Sequence, residues 1–188
     1  TGIGTAPIVN GQIYRGMDGA HPEAGHHLLD PSGPLCYCGA RGCWESLACG
    51  EALTEYSRQL AREDPELLRE LNLSAPDVVT GAAVAKAAGK GSPKALEIMR
   101  REARYLAMGL LNLITVYVPE MVVLSGGVID AYDLLKPEIE KTMRKNNLMV
   151  PADKVTILPA KLGYFSGVIG GAYALLLRQR SLAETTKR

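Results

Sequence analysis

A chain of 188 residues can bury a sizeable core without disulfide or metal staples. Its 21 basic and 20 acidic residues leave a formal net charge of +1, so the total calls for neither nucleic acid nor an anionic membrane as an obligatory partner. Hydrophobic residues at 47% and charged residues at 22% give an ordinary globular balance. No apolar run approaches the roughly 20 residues that span a bilayer, and the longest, Ala107 to Val118, is broken by Gly109 and Asn112.

The chain opens on "TGIG", inside a glycine-rich turn and without Met, which reads as part of a larger protein. Asn10-Gly11, with Ile8 and Val9 before it and Ile13 and Tyr14 after it, predicts a two-stranded hairpin. A loop rich in Gly, Pro, His and Cys follows, ending near Glu45. Residues 46–72 read as a helical hairpin carrying Leu47, Leu53, Tyr56, Leu60 and Leu67. Residues 80–91 read as a short helix capped by Thr80. Between Pro93 and Val116, Ala95, Ile98, Met99, Ala103, Leu106, Leu110, Leu113 and Ile114 fall at spacings of three and four, predicting a long helix with one buried face. Met121 to Leu124 is a short apolar strand of the kind that suits a sheet covered on both faces. A helix from Tyr132 to Lys145, the strand "VTILPA" and a last helix from Ser166 to Leu177 complete an α/β alternation. The closing "SLAETTKR" reads as a frayed polar tail.

The stretch from Glu23 to Ser46 holds two of the three histidines and three of the four cysteines. The spacing is His26-x9-Cys36-x-Cys38-x4-Cys43. Thiolates and an imidazole suit zinc, and four of them close a tetrahedral site. Gly39 and Gly42 allow the turns that bring three sulfurs together. A disulfide fits less well, because Cys36 and Cys38 lie too close in sequence to pair easily and any other pair strands the remaining thiols. Buried free thiols remain an alternative, and His27 is an alternative ligand to His26. Cys49 reads as a small core residue. Two acids flank the cluster, Glu23 three residues before His26 and Glu45 two residues after Cys43. Carboxylates fixed by a rigid loop suit recognition of several hydroxyls on a polyol, although each alone also reads as a solvated surface acid.

The run "EAGHHLLDPSGPLCYCGARGCWE" resembles the signature of the ROK family (repressors, open reading frames and sugar kinases): E-x-G-H, then ten residues on, C-x-C-G-x-x-G-C-x-E. "TGIG" is similar to the family's second phosphate-binding turn, "NGQIYRG" to the hairpin after it, "VVLSGGV" to its adenosine-side strand and turn, and "LGYFSGVIGGAYALL" to its closing helix. The resemblance implies an α/β fold, the C-terminal lobe of an actin/Hsp70/sugar-kinase-like ATPase with an inserted zinc-binding loop at about 20–46 and a nucleotide-side turn at about 121–128. It also implies an N-terminal lobe outside this chain. By the same resemblance His26, Cys36, Cys38 and Cys43 bind a structural zinc, while Glu23, His26 and Glu45 bind sugar hydroxyls. Thr1, Gly2 and Gly4 would face phosphate through a backbone nest, and Gly126 and Gly127 would face adenosine. Thr5, Ala6 and Pro7 depart from the glycine-rich pattern usual after this turn, and Tyr164 and Phe165 stand where acids are common.

The activity implied is that of a cytoplasmic, homo-oligomeric kinase. It phosphorylates an aldohexose or N-acetylhexosamine with ATP and Mg2+, using an aspartate general base from the N-terminal lobe. No segment of this chain matches that base or the family's first phosphate turn, so no catalytic residue is named. The alternative is a sugar-sensing transcriptional repressor, in which DNA would be read by a helix-turn-helix outside this chain.

Overall fold

The long apolar stripe predicted after Pro93 becomes the element around which the rest packs. The computed structural model describes residues 2–146 and 149–185, so Thr1 lies outside the described residues. In chain order the elements are β1 (Ile8–Val9), β2 (Gln12–Ile13), α1 (Trp44–Leu47), α2 (Gly50–Glu63), α3 (Pro65–Leu71), α4 (Gly81–Gly89), α5 (Pro93–Tyr117), β3 (Met121–Leu124), α6 (Tyr132–Asn146), β4 (Thr156–Pro159) and α7 (Ser166–Thr185). The Asn10-Gly11 turn closes β1 on β2 antiparallel, with Ile8 opposite Ile13. Asn10 and Gly11 both take positive φ, as a type I′ turn requires. β3 and β4 pair in parallel, Val122 opposite Ile157, with α6 in the crossover between them.

α5 starts where Ser92 accepts a hydrogen bond from the Ala95 N–H and Pro93 occupies the first turn. Its predicted core positions Ala95, Ile98, Met99, Ala103, Leu106, Leu110 and Ile114 are buried, and Leu113 is half-buried. α6 contributes Leu135, Ile139 and Met143 to the same core, while α4 contributes Val84, Ala87 and Ala88. α1 closes the other side: Trp44 lies so close to α5 that a Cβ on Gly109 would fall 2.0 Å from its indole. Removing the side chain at residue 109 is what lets the largest aromatic of the core lie flat on the helix. Thr80 caps α4 as expected. Cys49, read as a core residue, is buried and also caps α2 by accepting from the Ala52 N–H.

The helical hairpin expected over 46–72 is present as α2 and α3, joined at Asp64-Pro65 and preceded by the short α1. The structure departs from the sequence expectations in two places. α7 runs on through Ser181–Thr185, where a frayed tail was expected, and residues 186–188 lie outside the described residues. The second departure concerns the sheet. Leu124 is buried and Val122 half-buried, whereas Met121 and Val123 remain 54% and 58% exposed. Strand residues alternate between faces, so one face of β3 meets the core and the other is uncovered by the described residues.

Inside the stripe of α5 sits one acid. Glu102 is fully buried, and neither carboxylate oxygen has a hydrogen-bond partner among the described residues. Burial, opposed only by the charge of Arg101, raises its pKa from 4.5 to about 8. Arg101 itself lies over the ring of Tyr56 at 3.8 Å, where a cation–π contact holds it. The sign of the pH effect follows directly. Between pH 4.5 and about 8 the unfolded chain loses this proton while the folded chain keeps it, so stability falls as pH rises. Glu102→Gln removes the titration. Urea unfolding at pH 5, 6.5 and 8 should show wild type losing stability relative to the variant by up to ~1.4 kcal/mol per pH unit. A difference that does not change with pH would contradict a neutral buried carboxyl.

Candidate functional site

Residues 24–43 carry almost no apolar core of their own, so their shape comes from backbone hydrogen bonds and turns. Ala24–His26 form a 3-10 turn, and the chain returns alongside it through bridges Leu28 to Cys43 and Leu35 to Arg41. The Gly42 carbonyl accepts from Leu29 N–H at 2.8 Å, Gly42 N–H donates to Pro34, and Trp44 N–H donates to His27 at 2.9 Å. Gly42 takes φ +68°, and a Cβ there would fall 1.5 Å from the Asp30 carbonyl oxygen. Only glycine fits. A Cβ on Gly25 would likewise fall 2.1 Å from the Ile3 carbonyl, which presses residues 2–4 onto the 3-10 turn.

This folding brings His26, Cys36, Cys38 and Cys43 together with their donor atoms all within 4.8 Å of one another. His26 Nδ1 lies 3.6 Å from Cys36 Sγ, and Cys38 Sγ lies 3.5 Å from Cys43 Sγ. Zn–S bonds of about 2.3 Å and Zn–N bonds of about 2.0 Å in a tetrahedron set neighbouring donors roughly 3.5–3.8 Å apart. The donor types and these two separations therefore fit that ion, and all four cysteines are unbridged. The Ala40 N–H, and then the Cys43 thiol, draw the Cys38 pKa down to about 7. Burial, and then its hydrogen bond to Cys38, pushes Cys43 up to about 12. The pair thus already holds one sulfur close to the thiolate that a metal requires.

His27, the alternative ligand, is placed elsewhere. Its Nδ1 hydrogen-bonds the Ala24 carbonyl, and its ring packs 5.3 Å from that of Trp44. It is a packing histidine beneath the loop.

Glu45, in the first turn of α1, accepts a hydrogen bond from the Ile3 N–H at 2.6 Å through Oε2. A Cβ on Gly2 would fall 2.0 Å from the same oxygen, so Gly2, Ile3 and the acid are in direct contact. Glu23 precedes the 3-10 turn and is exposed. Sequence reasoning gave no role to Tyr37, yet its hydroxyl lies 2.9 Å from His26 Nε2, with the two rings edge to face. Desolvation, then the charge of and hydrogen bonding to Glu45, raise the Tyr37 pKa above its ordinary value, and Glu23 adds to the rise. One predicted sugar-side residue, His26, therefore touches the phenol, and the other two act on it through their charge. A large side chain between two cysteines, with no core to enter, was the signal available in the sequence.

On the nucleotide side, Gly4 borders open space. Gly126, with φ +111°, forms the turn after β3, and Gly127 lines a shallow groove of about 390 Å³ with Ala82, Lys86 and Asp130. Ser125 and Ser166 hydroxyls meet at 2.6 Å, tying this turn to the start of α7. Phe165 is exposed beside it.

A parallel β3–β4 pair with helices against one face, and a Cys3His cluster held in a loop outside it, define an α/β protein. The ROK family model matches residues 1–179, and the chain belongs to that family. It is 35% identical over 179 residues to a glucokinase of Streptomyces coelicolor, covering 92% of this chain and 56% of the relative. It is 28% identical over 170 residues to the xylose repressor of Bacillus subtilis, covering 90% of this chain and 40% of the relative. Among solved structures, a ROK family glucokinase from Streptomyces griseus in complex with glucose and AMPPNP superposes with a TM-score of 0.82 at 33% identity, over 93% of this chain and 57% of the other. The chain thus spans little more than half the length of the glucokinases it matches.

The knuckle makes a direct prediction about stability. Treatment of the purified protein with a strong chelator, and separately Cys38→Ser, should each lower the melting temperature by several degrees. An unchanged melt together with no metal in the untreated protein would contradict a metal-held loop.

Proposed function

We propose that the chain is the sugar- and nucleotide-binding half of an ATP-dependent hexose or N-acetylhexosamine kinase, held in shape by one structural zinc. The similarity to a glucokinase that binds glucose and AMPPNP, across 93% of this chain, carries the reading. His26, Cys36, Cys38 and Cys43 would hold the zinc, which would supply rigidity to a loop that has little core of its own. Glu23 and Glu45 would accept hydrogen bonds from sugar hydroxyls, and His26 would meet the sugar through the ring nitrogen that does not face the cysteines. Gly2 and Gly4 would approach phosphate, with Thr1, outside the described residues, completing that turn. Gly126 and Gly127 would lie along adenosine.

The reacting sugar oxygen would attack the γ-phosphorus of ATP while its proton passes to a base and the bond to ADP breaks. In this reading the base and the Mg2+-bound triphosphate's remaining contacts come from a second lobe. The uncovered face of β3 and the exposed apolar residues Val168 and Ile169 of α7 support such a neighbour, since apolar faces of this kind are ordinarily covered. The contact between Glu45 and the "TGIG" turn also supports it: sugar and phosphate sides would be coupled by a single hydrogen bond.

A second reading, a sugar-sensing repressor, is favoured by the similarity to the xylose repressor. Both readings share the sugar site and differ in phosphoryl transfer. With the full-length protein, ATP and Mg2+, ADP release should saturate with one of glucose, mannose, galactose, N-acetylglucosamine or N-acetylmannosamine. Glu45→Ala should then weaken binding of that sugar about tenfold or more with little change in melting temperature. Sugar binding without turnover would favour the repressor; neither binding nor turnover would contradict both.

A further inference from the structure

The Tyr37 phenol has the hydrogen-bonding capacity of a sugar hydroxyl, and it sits where one would be held. His26 Nδ1 faces the Cys36 sulfur, so the other ring nitrogen, Nε2, is the one that faces outward, and it meets the Tyr37 oxygen at 2.9 Å. An imidazole whose Nδ1 serves a metal carries its proton on Nε2, which then donates to the phenol oxygen. The Glu45 carboxylate, and more weakly the Glu23 charge, act on the same phenol. Accepting from the outward nitrogen of His26 is also what a substrate hydroxyl held by that imidazole would do.

Little else holds the ring in place. Tyr37 is 84% exposed, and it belongs to a tight Cys36–Gly39 turn at the loop's tip, where the Gly39 N–H bonds the Cys36 carbonyl. No core packing has to be broken for it to turn away. We propose that Tyr37 sets the sugar affinity of this site: its phenol occupies the position of one substrate hydroxyl and must swing outward before a sugar binds. The inference rests on the sugar-binding reading given above. In its terms the sugar competes with a side chain as well as with water, and its apparent affinity is reduced by the fraction of molecules in which the phenol is seated.

Tyr37→Phe removes the competing hydroxyl and keeps the ring. Calorimetric titration of the zinc-loaded full-length protein with glucose, mannose and N-acetylglucosamine should show the sugar that binds wild type binding the variant about three- to tenfold more tightly, the range expected for loss of one exposed hydrogen bond. Tyr37→Ala, which also removes the ring, should show at least the same gain. Binding to wild type with equal or weaker binding to both variants would overturn the role of Tyr37 and leave the sugar site standing. No binding of these sugars to any of the three proteins would overturn the sugar reading and this inference with it. Matching melting temperatures for the three proteins would establish that the loop itself is intact.

Discussion

The close approach of the Gly42 backbone to the Asp30 carbonyl is the contact on which the rest of the site depends. With any side chain at residue 42 the two strands of the loop would separate, and Cys43 would leave the other three donors. Because the same strand runs directly into α1, its position also fixes Glu45 and Trp44. Trp44 anchors that helix against Gly109 of α5, so the loop is joined to the core at one end and closed on itself at the other. Two glycines and one tryptophan thus fix the path of a polar segment, and a metal on its four donors would make it rigid.

The platform reaches outward through Glu45. Its hydrogen bond from the Ile3 N–H connects the glycine turn at the start of the chain to the acid beside His26. A carboxylate that is already accepting a backbone hydrogen bond through one oxygen retains its other oxygen and its spare lone pairs for a further donor. Tyr37 takes the position next to it. In the proposed reading, the outer face of the loop would meet sugar hydroxyls with groups from three separate stretches of sequence. The long helix behind it holds α1 in place through the contact of Trp44 with Gly109.

Much of this was legible in the residues themselves, for physical reasons that differ between elements. The long helix was readable because its apolar positions recur at three and four, and the hairpin because Asn-Gly satisfies two positive-φ positions. The four metal-type donors were readable because they crowd into eighteen residues, and the family resemblance rested on the same letters. Glu102 was hidden by the pattern that revealed its helix: an acid within an apolar stripe falls on the buried face as surely as a leucine would. Tyr37 offered only its size and its place between two cysteines, since its partner, His26, is eleven positions away. The choice between His26 and His27 also required three dimensions, because adjacent residues of a turn point to opposite sides. The uncovered face of β3 could not be read from its four apolar letters, which fit a strand buried on one face or on two.

In the proposed reading a Cys3His metal centre shapes the sugar-side surface. X-ray absorption at the zinc edge of the purified full-length protein tests it most directly. The account predicts one zinc per chain with a shell of three sulfurs at about 2.3 Å and one nitrogen at about 2.0 Å. A protein that carries no zinc when purified without chelators, or a shell composed only of oxygen and nitrogen, would contradict it.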